Sequence, residues 1–368
     1  MFSRVAIISV LIAMLTVAVA VAVSPNAMGA NPGDPCTKEG EVADLNGGKI
    51  ACVGGVWQPQ STGTPAPGGG MPAPGGDTPA PSSGSTAPPI KTAAIFKTIG
   101  PVLSPETFAS TSRQVADATS VRLADGRIRL YAFVSPEGIA SAISTNAKGT
   151  KFTAEPGRRI TWTPGGQSRA ISLPNGDVRL FYLNSGNINS AISADGLTFT
   201  DEGVRILGAD AGFEPGVLTV VKVGSSYRGY FSNLEKPGEM KERIARTATS
   251  PDMLTWTVGP YVAGSEGSIK DGASHPFAIT KGKTIALYYN GDRSGWYGLL
   301  RSTSTDGVTF SNERAVLKGA GDPQLQPIAG GKTLLYTGGE VTGEGFGILM
   351  ARTTVSPVTG ESTKTKKK

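Results

Sequence analysis

The sequence predicts an all-β fold, a five-bladed β-propeller closed by an N-terminal strand, and three observations carry that prediction. A four-strand pattern recurs five times at a period of roughly 45–50 residues, the spacing of propeller blades. Its copies begin near Asp117, Gln167, Glu214, Asp271 and Asp322. Tight-turn pairs such as Asp125-Gly126, Asn175-Gly176 and Gly330-Gly331 separate the first and second strands of a copy, as hairpins with positive φ require. Finally, the chain holds 50 glycines in 368 residues and shows no long amphipathic helical pattern, which suits many short strands.

Taken in order, residues 1–30 read as an export signal. Arg4 precedes an apolar run from Val5 to Val23 interrupted only by Ser9 and Thr16, and the small residues Ala27-Met28-Gly29-Ala30 follow. The length of the run leaves an uncleaved membrane anchor as the alternative. Either way the expected location is secreted or cell-surface. Residues 31–59 form a small module holding both cysteines, Cys36 and Cys52. In an exported chain, two cysteines flanking a Gly-rich hairpin imply a disulfide, and so short a module has too little core to fold without a staple. Residues 60–92 are Pro, Gly, Ser and Thr with almost nothing apolar, and read as an extended linker.

The propeller spans residues 93–357, and a basic tail, 358–368, is expected to add no structure. Within the propeller, Phe96-Lys97-Thr98-Ile99-Gly100-Pro101-Val102 matches Trp256-Thr257-Val258-Gly259-Pro260-Tyr261-Val262 in the third copy. The fifth copy lacks an outer strand of its own. Residues 95–103 are therefore expected to complete blade five and remove the open edge of the array. Of the net charge of +6, residues 93–357 carry a surplus of four, small for a segment of that length, and Arg4, Lys364, Lys366, Lys367 and Lys368 lie outside the repeats, so no nucleic-acid partner is expected.

Aligning the copies on their first turns puts Asp117, Gln167, Glu214 and Asp322 at equivalent positions at one mouth of the channel. Blade four offers Ala273 there, flanked by Asp271 and His275. Second strands end near Asn233, at Asn290 with Asp292 and Arg293, and at Glu340, with Tyr230, Tyr289, Trp296 and Tyr297 close by. Polar side chains for hydroxyls and aromatic faces for C–H surfaces are what a sugar site needs. The bland alternative is that the acids cap strand starts and that His275, the single histidine, is a channel hydrogen-bonder. The Ser-x-Asp-Gly-x-Thr-Phe stretches at 193–199 and 304–310 read as turn structure. No phosphate-cradling loop, zinc-ligand spacing or serine triad stands out.

These acid-first inner strands and Ser-x-Asp-Gly turns resemble the five-bladed propellers of glycoside hydrolase families 43 and 32, the arabinanase-, levansucrase- and invertase-like enzymes. The resemblance implies Asp117 as catalytic base, Glu214 as acid, and a further acid on blade two that tunes the second. Here blade two has Gln167-Ser168-Arg169, and glutamine carries no charge with which to tune a neighbour. Either the acidic set is redistributed to Asp271, Asp322 or Glu340, or the propeller binds sugar without cutting it. A protein-interaction scaffold is the third reading. The expected partner is an extracellular polysaccharide or oligosaccharide, the expected state a monomer. Membrane contact would come only through an uncleaved N-terminal segment. No cofactor is implied beyond the channel cation that related propellers hold near a histidine such as His275.

Overall fold

The computed structural model describes residues 42–45, 48–53, 56–59 and 95–360, apart from residues 111, 162–166, 213–214, 234–243, 265–268, 270–271, 294–295, 329–331 and 354. The chain divides into two compact units, residues 1–78 and 79–368. In the first, Val42–Leu45, Gly48–Val53 and Val56–Pro59 form a three-stranded antiparallel sheet in chain order. Cys52 is buried, and no cysteine among the described residues is free. Cys36 and the segments expected as signal and linker lie outside the described residues.

The second unit is the five-bladed propeller. Blade one comprises Val115–Arg122, Ile128–Val134, Gly138–Ser144 and Phe152–Ala154. Blade two comprises Ser168–Ser172, Val178–Asn184, Asn187–Ser193 and Thr200–Ile206. Blade three comprises Thr219–Val223, Ser226–Asn233, Ile244–Ser250 and Thr257–Tyr261. Blade four comprises Ser274–Lys281, Thr284–Arg293, Trp296–Ser304 and Thr309–Lys318, with Ala263–Gly264 added in parallel to its outer strand. Blade five comprises Gly321–Ile328, Lys332–Val341 and Gly345–Thr353, and its outer strand is Lys97–Leu103. The ring closes as the sequence predicts.

Second strands are the most apolar because neighbouring blades cover both of their faces. Ile128, Leu130, Ala132 and Val134 face one core cluster, while Tyr131 packs in another. The third-to-fourth turns are built by aspartates. Asp195 Oδ1 accepts the backbone N–H groups of Leu197 and Thr198 and the Ser193 hydroxyl, and Asp252 and Asp306 repeat the arrangement in blades three and four. Those donors hold the Asp195 and Asp306 carboxyls well below the usual range. The turn reading of these stretches is thus the right one.

Blades are joined by one repeated contact. An aromatic ring on each second strand meets, edge to face, an aromatic ring of the next blade: Tyr131 with Phe199, Phe181 with Trp256, Tyr230 with Phe310, Tyr288 with Phe96, Tyr336 with Phe152. Centroid separations run from 5.8 Å for the first pair to 6.3 Å for Tyr288 and Phe96. Each tyrosine hydroxyl also donates to a backbone carbonyl of the neighbouring turn, at Gly196, Gly307, Pro357 and Gly149. Blade two carries phenylalanine instead, and there Trp256 Nε1 donates to Met253 within blade three.

Blade five meets this pattern with the two ends of the propeller sequence. Phe96 supplies the ring, and the segment after Gly345–Thr353 supplies the turn carbonyl. That segment corrects one expectation. Ser356 and Val358 are buried, and the Gly360 N–H donates to the Ser356 carbonyl, so chain beyond Pro357 does take up structure. Phe96→Ala should therefore lower the unfolding free energy by about 3–5 kcal/mol, the usual cost of emptying a buried aromatic site. Denaturant unfolding of the variant against the parent chain measures it, and a change within experimental error would refute the closing role of Phe96.

Candidate functional site

The pole of the channel is set by pairing register. Each second-strand aromatic that joins its blade to the next, a latch, lies opposite one first-strand residue: Thr119 with Tyr131, Arg169 with Phe181, Thr219 with Tyr230, Phe277 with Tyr288, Gln324 with Tyr336. Two residues upstream stand Asp117, Gln167, Val217, His275 and Asp322. Blade four thus presents His275, where alignment on the turns predicted Ala273. Blade three presents Val217 in register, and Glu214 lies outside the described residues. The cause is turn length. Blades one and two join their first strands through five residues, blades three and four through two, since Arg122 pairs with Ile128 and Ser172 with Val178, but Val223 with Ser226 and Lys281 with Thr284.

In blades one, four and five the pairing register breaks at this position, between Ala116 and Thr119, Ser274 and Phe277, and Gly321 and Gln324. Asp117, His275 and Asp322 sit in these bulges with φ of +52°, +50° and +53°. Asp and His enter the left-handed region more readily than most residues, and a bulge re-aims the side chain it carries. The result brings three ionisable groups together. His275 Nε2 lies 3.7 Å from Asp117 Oδ1, and His275 Nδ1 lies 3.5 Å from Asp322 Oδ1.

Two carboxamides brace the group. Gln167 accepts the Val217 N–H on Oε1 at 3.1 Å and places its Nε2 2.8 Å from His275 Nε2. Asn290 accepts the Asp322 N–H on Oδ1 at 2.8 Å and donates to the Asp322 carboxylate at 3.1 Å. Small residues leave room for them. A Cβ on Gly338 would come within 3.0 Å of Asp322 Oδ2, and one on Gly216 within 2.8 Å of Ser232 Oγ and 3.3 Å of Gln167 Oε1.

Asp117 is 8% exposed, and its Oδ1 accepts no hydrogen bond. Burial, and next the Asp322 charge, push its carboxyl up from 3.8 to about 6, against the opposing pull of Arg169. Arg169 is buried below the pole over the Phe277 ring, 6.0 Å from its centroid, and lines a channel cavity of about 200 Å³ with Ser120, Thr219, Gln324 and Gln326. Desolvation lowers the proton affinity of its guanidinium.

Other predicted site residues stand elsewhere. Asn233 is buried and donates to the Tyr261 hydroxyl. Glu340 is exposed on the second strand of blade five. Tyr230 and Tyr289 are core residues, the first a latch and the second bonded to Glu313, so neither offers a ring to a sugar. The backbones of Asp292, Arg293 and Trp296 belong to the extended hairpin of blade four, where Arg293 pairs with Trp296. Their side chains, with Asp271, lie outside the described set.

Asp117, His275 and Asp322 offer donor atoms within 4.8 Å of one another, so in number and proximity they suit a cation. On its Nε2 side the ring does not fit that role. Its Nε2 already faces the Gln167 amide at bonding distance, and a metal there would have to displace an amide anchored on blade three.

No protein-family model matches the chain, and no curated protein does. Solved structures match its fold. An endo-1,4-beta-xylanase from Bacteroides thetaiotaomicron is 13% identical, with a TM-score of 0.52, over 64% of this chain and 89% of that one. A thermostable family-43 glycoside hydrolase is 13% identical, with a TM-score of 0.52, over 68% and 95%. The catalytic domain of the Coprinopsis cinerea GH62 alpha-L-arabinofuranosidase is 12% identical, with a TM-score of 0.52, over 72% and 98%. The chain is thus a five-bladed β-propeller of the architecture these glycoside hydrolases share. At such identities the likeness establishes the fold alone.

The raised proton affinity of Asp117 has a stability consequence with a definite sign. An unfolded aspartate titrates near its ordinary value, so between about pH 4 and 6 the folded chain binds more protons than the unfolded one. The contribution of Asp117 to stability therefore falls as pH rises through that window. Asp117→Asn should be more stable than the parent chain at pH 7.5, by up to about 3 kcal/mol, and no more stable at pH 3.5. Paired denaturation curves at the two pH values check it, and equal or lower stability at pH 7.5 would contradict it.

Proposed function

We propose that this is an exported carbohydrate-active propeller that hydrolyses glycosidic bonds of an extracellular polysaccharide or oligosaccharide at the Asp117 pole. The observation that carries the reading is the Asp117 carboxylate. It is buried at the pole with Oδ1 unclaimed by any donor, and its titration is displaced toward neutrality. A carboxylate in that condition is suited to take a proton from an attacking water, because a general base works best with a pKa near the working pH. Glu214 is the proposed proton donor. Asp322 is assigned a holding role, since it faces His275 Nδ1 and is bonded to Asn290. The fold match to glycoside hydrolases supports the substrate class.

Sugar binding without cleavage is the second reading, favoured by Gln167, an uncharged amide on blade two where the resemblance calls for an acid. A screen of pentose, fructose and hexose glycosides separates the two. Under the hydrolytic reading, Asp117→Asn and Glu214→Gln each lower turnover by about 10²–10⁴ while the blades stay folded. Turnover that survives both substitutions removes these residues from the mechanism. Saturable binding with no turnover, abolished by Trp296→Ala, establishes the second reading.

A further inference from the structure

We infer that Gln167 holds His275 as a neutral imidazole protonated on Nδ1, so that the ring is a hydrogen-bond donor toward Asp322 and neither a metal ligand nor a cation beside Asp117. The argument begins with the orientation of the amide. Gln167 has one acceptor and one donor end, and the Val217 N–H, 3.1 Å from Oε1, fixes which is which. The end facing His275 Nε2 at 2.8 Å is therefore the NH₂ group. A donor at that distance demands a lone pair, so Nε2 carries no proton.

The same reasoning excludes the imidazolium, which would set N–H against N–H. One proton remains to be placed, and Nδ1 is its only seat. There the acceptor is Asp322 Oδ1 at 3.5 Å. The Asn290 amide, its Oδ1 held by the Asp322 N–H, sends one N–H to the Asp322 carboxylate at 3.1 Å and leaves its second 3.4 Å from Nδ1, a looser approach than the 2.8 Å of Gln167 at Nε2, so of the two ring nitrogens Nδ1 is the one with room for the proton. The charged groups around the ring are thus Asp117 from blade one, Asp322 from blade five and Arg169 from blade two, and no second cation reaches it among the described residues.

Gln167 is on this account a positioning residue. It stands at the blade-two place of the pole and acts on Asp117 through the charge it denies to His275. A carboxylate there would accept instead of donate, would draw a proton onto Nε2, and would set a positive ring 3.7 Å from Asp117 Oδ1.

His275 is the only histidine of the chain, so its ring can be observed without assignment. Untagged full-length protein labelled with ¹⁵N-histidine, recorded by long-range ¹H–¹⁵N correlation at pH 8, should show a protonated Nδ1 and an unprotonated Nε2. That is the reverse of the tautomer favoured by free histidine in water. An Nε2-protonated or doubly protonated ring would overturn the inference. In Gln167→Glu the ring should gain a proton on Nε2, and a spectrum like that of the parent chain would remove Gln167 from the role. Addition of Zn²⁺ or Ca²⁺ to the parent protein should leave both ring nitrogens unmoved, whereas a saturable shift of either would make His275 a ligand and refute the assignment. The first and third measurements need no variant, and none depends on turnover.

Discussion

The edge-to-face contact between each blade's second strand and the next blade is the interaction on which this propeller depends. Every blade buries one ring against the following blade, and four of the five add a hydroxyl directed to a turn carbonyl. An aromatic pair of this kind contributes about 0.5–1.5 kcal/mol beyond the area it buries. No pair is strong alone. Because the blades form a closed cycle, however, the loss of one contact strains the other seams, and the blades stand or fall together.

The same contact reaches the pole through register. Once the ring of a second strand is seated, its first-strand partner is fixed, and the residue two places upstream is delivered to the channel mouth. Three bulges then turn Asp117, His275 and Asp322 inward with left-handed backbones. Non-glycine residues in that region cost of order 1 kcal/mol or more and persist only where their surroundings hold them. Gln167 and Asn290 supply such holding, each tying a neighbouring blade's backbone to the group. The site is therefore a property of the ring and of no single blade.

Much of this could be read in the residues. The repeat length, the turn pairs and the match between 96–102 and 256–262 give the blade count and the closing strand. Asp117, Gln167 and Asp322 stand where alignment on the turns puts them because the turns of blades one, two and five, though not all of one length, are each centred eight residues further on. Alignment on the turn puts Ala273 in the place of His275 because a two-residue hairpin replaces a five-residue turn, and no local pattern reports that exchange. A better signal was present: His275-Pro276 and Asp322-Pro323 share an X-Pro step that would have aligned blades four and five on their bulges. Tyr230 and Tyr289 misled for another reason. Strand alternation tells which face a ring takes, but both faces of a second strand are covered here, so an aromatic there belongs to a seam. Ser356 and Val358 look like tail by composition, and only the missing turn of blade five marks the place they fill.

The seam at blade five gives the chain a temporal order. Lys97–Leu103 is the first strand of the ring to be synthesised, yet its hydrogen-bonding partner, Gly345–Thr353, is the last. Bringing ends so far apart together costs on the order of 5 kcal/mol of chain entropy, for a loop of about 250 residues. That cost is met in one step, when the final blade is available and Phe96 can reach Tyr288. Until then the N-terminal strand has no place in any sheet. The propeller thus cannot be completed blade by blade behind the ribosome, and a nascent chain shortened anywhere before its last strand lacks the means to close.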